Sequence, residues 1–352
     1  MLLAGFGFIL SRTSFLGALS LSFLPPSTLL PTKSASHRSP PIFDDPFSPS
    51  AARFRSEITS KIQQDASVAG PLIRLAFHDA ATLERGRPNY DYISMNARSP
   101  VTTTTGGPNG SIRYEMERRE NRAVGRPFKI VESLWSSNND YDDNGNSFST
   151  QFSLADAIAL SGAAAVEATG GPHIGIRMGR KDVDTADAEV LRVAVQKSTP
   201  RSRVDRTLPS AALDSDGLRL FFGRLGLSEQ EFVALCGSHG LGRHVSLLGM
   251  SKPCLKNLTR TCLEEAPVLL PFVTSSVDTF DNSYFSALLQ WNSNQVELGE
   301  VAFIPTDVAL VVDRGLRVHV ERFARDQAMY FTSFARAYQK LVDSTAVTVK
   351  RY

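Results

Sequence analysis

Between Ala51 and Leu341 the apolar residues recur at helical spacing, and no stretch alternates strand and helix patterns in the manner of a βαβ fold. AARFRSEITSKIQQDA, the segment opened by Gly70 and Pro71, FKIVESLW and FSLADAIALSGAAAVEA all read as helices. So do GLRLFFGRLGLSEQEFVALC, FDNSYFSALLQW and the run from Val308 to Leu341. Pro71 falls in a first turn, where its missing N–H costs little. Gly226 joins two helices, the second opened by Ser228 and Glu231 as a capping box. Only the neighbourhood of IGIRMGR, residues 174–180, reads as a short strand. The fold class expected is mainly α.

The chain has 352 residues, enough for one large domain or two modest ones, and its 42% hydrophobic content supplies a core. Its 38 basic and 36 acidic side chains nearly cancel. Without a basic stripe or an acidic tail, no nucleic-acid partner is expected, and a small-substrate enzyme fits better. Three cysteines, Cys236, Cys254 and Cys262, cannot make an even disulfide framework. At most Cys254 and Cys262 pair, and reduced thiols in an intracellular or organellar compartment are the favoured reading.

Residues 1–43 differ from the rest: they hold no Asp or Glu, many Ser, Leu, Phe and Pro, and Arg12, Lys33 and Arg38 as fixed cations. Neither of their apolar runs is long enough to span a bilayer. They are expected to be a cleavable targeting leader, for a plastid or else another organelle or the secretory route, with a retained anchor as the alternative. Residues 44–50 are expected as a linker, 51–345 as the folded domain and 346–352 as a tail. No stable membrane insertion is expected once the leader is removed. Residues 85–109 read as a polar surface loop, and NNDYDDNGN as a solvated loop whose spacing does not fit an EF-hand.

Arg74 and His78 are four apart, so a helix brings them to one face, bordered by Phe77. Spacing alone is satisfied by a core histidine beside a surface arginine; a buried pair would need a polar cavity. His239, in CGSHGLGR, follows an apolar helix. Its flanking glycines remove side-chain bulk, so that something flat or large can approach the backbone. A histidine favoured by a helix terminus is the alternative.

IRLAFHDAATLE, GGPNGSIRYEMERRENR, AVEATGGPHIGIRMGRKD, LGLSEQEFVALCGSHGLGRH, VDTFDNSYFSALL and FIPTDVAL occur in an order that resembles the plant-type haem peroxidase superfamily. The likeness is strongest to its intracellular branch, the ascorbate peroxidases and ascorbate-peroxidase-like proteins, and covers roughly residues 50–345. It implies a helical fold with haem b between two lobes. His239 would ligate the iron through Nε2, and Asp307 would accept the Nδ1–H and give the imidazole anionic character. Asp307 also suits a helix N-cap before VALVV, and both roles can coexist. His78 would take a proton from hydrogen peroxide and return it to the departing oxygen. Arg74 would stabilise the developing negative charge, and Asn121 would hold the second nitrogen of His78. Glu117 is the expected support for Asn121. Phe77 and Phe272 would flank the haem.

The chain departs from the ascorbate peroxidases where they usually carry tryptophan, at Phe77 and Phe272. The second oxidising equivalent is therefore expected on the porphyrin or a Tyr, not on a proximal Trp. The basic residues that the resemblance associates with ascorbate fall at Leu248 and Ala66, with Lys252 or Arg243 as substitutes, so the small organic donor is ascorbate or a phenol. Gly240 replaces a Thr of the family's potassium site, while Asp281 remains. Asp79 is a residue that helps bind calcium in the secreted branch. A monovalent or calcium cation is thus an open expectation. A catalytically weak structural or interaction protein of an organelle is the alternative, and Phe272 weakens a third reading with a protein donor.

Overall fold

The structure, a computed structural model, describes residues 49–85, 104–137, 147–183, 208–209, 213–245, 269–273, 277–291 and 303–344. Among these, ten α-helices follow in order: α1 (Pro49–Gln64), α2 (Ala69–Ala80), α3 (Gly125–Ser136), α4 (Leu154–Ala168), α5 (Ser215–Arg224), α6 (Glu229–Cys236), α7 (Ser283–Leu289), α8 (Pro305–Val312), α9 (Arg314–Arg325) and α10 (Gln327–Val342). Two antiparallel ribbons accompany them. β1 (Glu84–Arg85) pairs with β2 (Thr104–Thr105), and β3 (Arg243–Val245) pairs with β4 (Leu269–Pro271). The mainly α expectation is met.

The helix starts follow local chemistry. Asp65 accepts a hydrogen bond from Ser67 N and caps the 3₁₀ turn that leads into α2, whose first turn holds Pro71. Ser153 caps α4 by accepting from Asp156 N at 3.0 Å. The capping box of Ser228 and Glu231 opens α6, and Gly226 before it takes a φ of 78°, which favours glycine.

α4 is buried continuously from Leu154 to Val166, as a helix apolar around its whole circumference must be. α1 and α2 pack on it. Gly162 permits a close crossing: a Cβ there would lie 2.2 Å from the Tyr338 hydroxyl of α10 and 3.0 Å from Ala76 Cβ of α2. The Tyr338 hydroxyl donates to Ala159 O at 2.9 Å. α10 also packs on α6, so the last helix ties the helix bearing His78 to the one preceding His239.

Residues 174–180 are not a strand. Their backbone groups bond side chains instead of a neighbouring strand. Ile174 N donates to Glu167 Oε1 at 2.9 Å, and Ile174 O accepts from Arg55 at 2.6 Å. Gly175 O accepts from Gln339 at 2.8 Å, and Gly179 N donates to Asp156 Oδ2 at 2.9 Å. With these groups satisfied, nothing requires a partner strand. The segment ends on Arg180, which is buried between Asp156 at 2.8 Å and Asp343 at 2.9 Å and also donates to Val342 O at 2.8 Å.

The first helix begins at Pro49, inside the stretch expected to be linker. The leader, the tail, the NNDYDDNGN loop, Cys254, Cys262, Leu248, Lys252 and residues 86–103 lie outside the described residues. Cys236 carries a free, half-buried thiol whose pKa is raised by burial. Among the described residues no helix is long and apolar enough to cross a membrane.

Candidate active site

α2 presents Arg74 and His78 together, as their spacing requires. Arg74 Nε–H donates to His78 Nε2 at 3.1 Å. On the other side of the ring, Asn121 Oδ1 lies 2.8 Å from Nδ1. Asn121 Nδ2 donates to the Glu115 carbonyl at 3.0 Å, which fixes the amide with its oxygen toward the histidine. The tautomer follows: Nδ1 carries the hydrogen and Nε2 is the accepting nitrogen.

Glu115, not Glu117, therefore supports Asn121, and it does so through its backbone carbonyl. Its buried carboxylate is held by Arg118 at 2.6 Å. The 3₁₀ turns at Ser111–Tyr114 and Arg119–Val124 set this spacing.

Burial and the neighbouring Arg74 cation press the His78 pKa down to about 3, against the opposing pull of Asn121. The base is neutral at ordinary pH. Arg74 is exposed at its open side, yet surrounding protein lowers its own pKa by desolvation. Arginine nevertheless remains a cation. Phe77 is half-buried, with its centroid 6.2 Å from Phe222 and 6.4 Å from Phe221. Arg224 lies 4.9 Å over the Phe221 ring and donates to Ala81 O at 3.0 Å, so α5 clamps the end of α2.

Asp79 is turned away from this cluster. Its oxygens accept from Gly110 N at 3.1 Å and Ile112 N at 3.3 Å, and burial, with Glu115 and Asp182 nearby, pushes its pKa up to about 7. Asp281 accepts from Ser283 N at 2.9 Å at the start of α7. Among the described residues no group of three or more His, Cys, Asp or Glu is arranged to hold a metal.

His239 sits in the 3₁₀ turn Gly237–Leu241 that continues α6. Its Nδ1–H donates to Asp307 Oδ1 at 2.8 Å. Asp307 Oδ2 accepts from Ile304 N at 3.1 Å at the start of α8, so the capping role and the histidine-holding role coexist on separate oxygens. Among the described residues Nε2 makes no hydrogen bond, and about a third of the side chain, 35%, is exposed. An imidazole fixed through Nδ1 with Nε2 open is the donor that a metal requires.

Phe272 stacks on His239 with centroids 4.7 Å apart and planes at 16°. Tyr284, to which the sequence assigned no role, donates its hydroxyl to Asp307 Oδ1 at 2.7 Å. Its pKa is raised well above the ordinary tyrosine value, by burial first.

The glycines around His239 make room for the protein's own rings. A Cβ on Gly237 would meet the Tyr330 hydroxyl at 2.5 Å and Phe285 at 2.8 Å, and one on Gly242 would meet Phe272 at 3.4 Å. The two histidine segments meet at Gly70, where a Cβ would lie 2.6 Å from Leu241 O. His78 lies about 12 Å farther along α2 at the helical rise per residue, so the helix leads its histidine away from that contact. Of the cations considered for the donor, Ala66 leaves its position uncharged, and Arg243 is paired with Asp278 at 3.3 Å.

A family model described as peroxidase matches residues 54–326. A Cryptococcus neoformans protein with the provisional name heme-binding peroxidase is 32% identical over 284 residues, covering 79% of this chain and 71% of its own. A rice protein provisionally named peroxisomal L-ascorbate peroxidase 3 is 31% identical, covering 86% of this chain and 81% of its own. The mitochondrial cytochrome c peroxidase of Emericella nidulans is 30% identical, covering 79% and 65%. The chain belongs to the peroxidase family.

Proposed function

We propose that this chain is a haem b-dependent peroxidase that reduces hydrogen peroxide to water while oxidising a small organic donor in two one-electron steps. The observation that carries this reading is the pair of imidazoles held through Nδ1, one by Asn121 beside a cation and the other by Asp307. His239 Nε2 would hold the iron, with Phe272 stacked on the imidazole and Phe77 beside His78. When bound, haem supplies an iron able to hold the two oxidising equivalents of peroxide and release them singly.

The chain's own groups manage protons and charge. Arg74 engages His78 Nε2, so an arriving peroxide must displace that hydrogen bond before its proton can be taken. Once displaced, Nε2 accepts the proton, and the guanidinium is free to turn toward the oxygen on which negative charge develops. Asn121 keeps the Nδ1 hydrogen in place throughout. The low pKa of His78 makes its protonated form a strong acid, which readily returns the proton to the departing oxygen as water forms. The overall balance is one peroxide, two electrons and two protons to two waters.

The donor is ascorbate or a small phenol. The test is protein reconstituted with haem. A Soret band that shifts on peroxide addition, followed by turnover with ascorbate or a phenol, is expected. Absence of the band overturns the reading, and a band without turnover favours the structural alternative. Reduced cytochrome c as the best donor would favour the third reading.

The acid-free, serine-rich leader favours an organelle, a plastid first. The peroxisomal and mitochondrial names of relatives favour organellar placement in general. Residues 1–50 fused to a fluorescent protein should reach that organelle, and a diffuse cytosolic signal would refute the leader.

A further inference from the structure

We infer that Tyr284 is a positioning residue that sets the electronic character of His239, by donating to the same Asp307 oxygen that accepts the His239 Nδ1–H. The inference rests on the haem reading above. Both donors converge on Oδ1, at 2.8 Å from His239 and 2.7 Å from Tyr284. Oδ2 is already engaged by Ile304 N at 3.1 Å. Tyr284 is 0% exposed and Asp307 is 1% exposed, so water does not dilute the exchange between these donors. Phe272, on the face of the His239 ring, carries no polar atom to compete.

The phenol is held in place from both sides. Asp281 accepts from Ser283 N at the start of α7, and Asn282 Nδ2 donates to Phe323 O and Ala324 O, each at 3.0 Å. The Tyr284 ring lies edge-on to Phe285 at 5.1 Å and to Phe303 at 5.9 Å. Its hydroxyl therefore cannot swing to another acceptor without moving the helix.

A carboxylate oxygen that accepts two hydrogen bonds offers less negative charge to each donor. Tyr284 thus restrains how far Asp307 draws the Nδ1 hydrogen. The imidazole becomes a weaker electron donor through Nε2 than Asp307 alone would make it. Removing the hydroxyl should make His239 more imidazolate-like and favour the ferric over the ferrous state.

The experiment uses the haem-loaded full chain, with Tyr284→Phe, Asp307→Asn and the double variant, read by redox titration and by the iron–imidazole stretching frequency. Tyr284→Phe should raise the ferric-to-ferrous ratio at fixed potential about tenfold, a fall of about 59 mV for one electron, and raise the stretching frequency. In the Asp307→Asn background the same change should move neither. No shift in the single variant, or an equal shift in both backgrounds, overturns the inference. If Tyr284→Phe does not fold, 3,5-difluorotyrosine at position 284, a stronger donor of the same shape, should shift both readouts the opposite way. No shift from that residue also overturns the inference. Absence of a Soret band in the wild type would instead refute the haem reading, before any Tyr284 variant is compared.

Discussion

A histidine acts through whichever nitrogen its neighbours leave available, and two short hydrogen bonds decide this for His78 and His239. Replacing His78 by Leu should slow the reaction with peroxide by about 10²–10⁴-fold, measured by stopped flow, with the Soret band retained. Because the His78 pKa is about 3, the wild-type rate should show no ionisation of this base between about pH 5 and 8. The stability consequence has a definite sign. The folded value lies below the ordinary value of 6.5, so stability is fully present above about 6.5 and is lost as pH falls toward about 3. The meetings of Arg74 with His78, of His78 with Asn121 and of His239 with Asp307 were legible only through the family resemblance of the stretches that carry them. Tyr284 was not, because nothing in FDNSYF states that α7 lies against the start of α8. The acceptor lies at Glu115, two residues before the expected Glu117, where two 3₁₀ turns, tighter than α-helix, set the approach to Asn121.

Among the elements, α2 is held at both ends. Gly70 faces Leu241 O with no space for a methyl group. Gly70→Ala should cost about 1–3 kcal/mol, seen as a lower Tm, and should weaken haem binding by prising α2 from the turn that holds His239. At its other end α2 is tied through Asp79 to the backbone of Gly110 and Ile112. The folded pKa of about 7 lies above the ordinary 3.8. The contribution is therefore present below about 3.8 and lost as pH rises through about 7. Asp79→Asn should flatten the dependence of urea midpoints on pH across that window. The helices themselves were legible from spacing and caps. Residues 174–180 looked like a strand because a β-branched, alternating stretch has the same composition whether its backbone bonds a neighbouring strand or side chains.

At the level of the whole molecule, Arg180 joins Asp156 at the start of α4 to Val342 and Asp343 at the end of α10. Arg180→Ala removes the counter-charge of the buried Asp156 carboxylate and should cost about 3–5 kcal/mol, read from urea unfolding. No local pattern announces a bond between residues so far apart, which is why the sequence shows the helices without showing what locks them together. This clasp has a consequence for synthesis. While a ribosome is still making residues before 343, Arg180 lacks one of its two carboxylates, and α4 lacks the Tyr338 side chain that fills the notch at Gly162. Nascent chains can collapse early but can reach their final packing only once residues 338–343 have been made, so the stability of truncated chains should rise abruptly when α10 is complete.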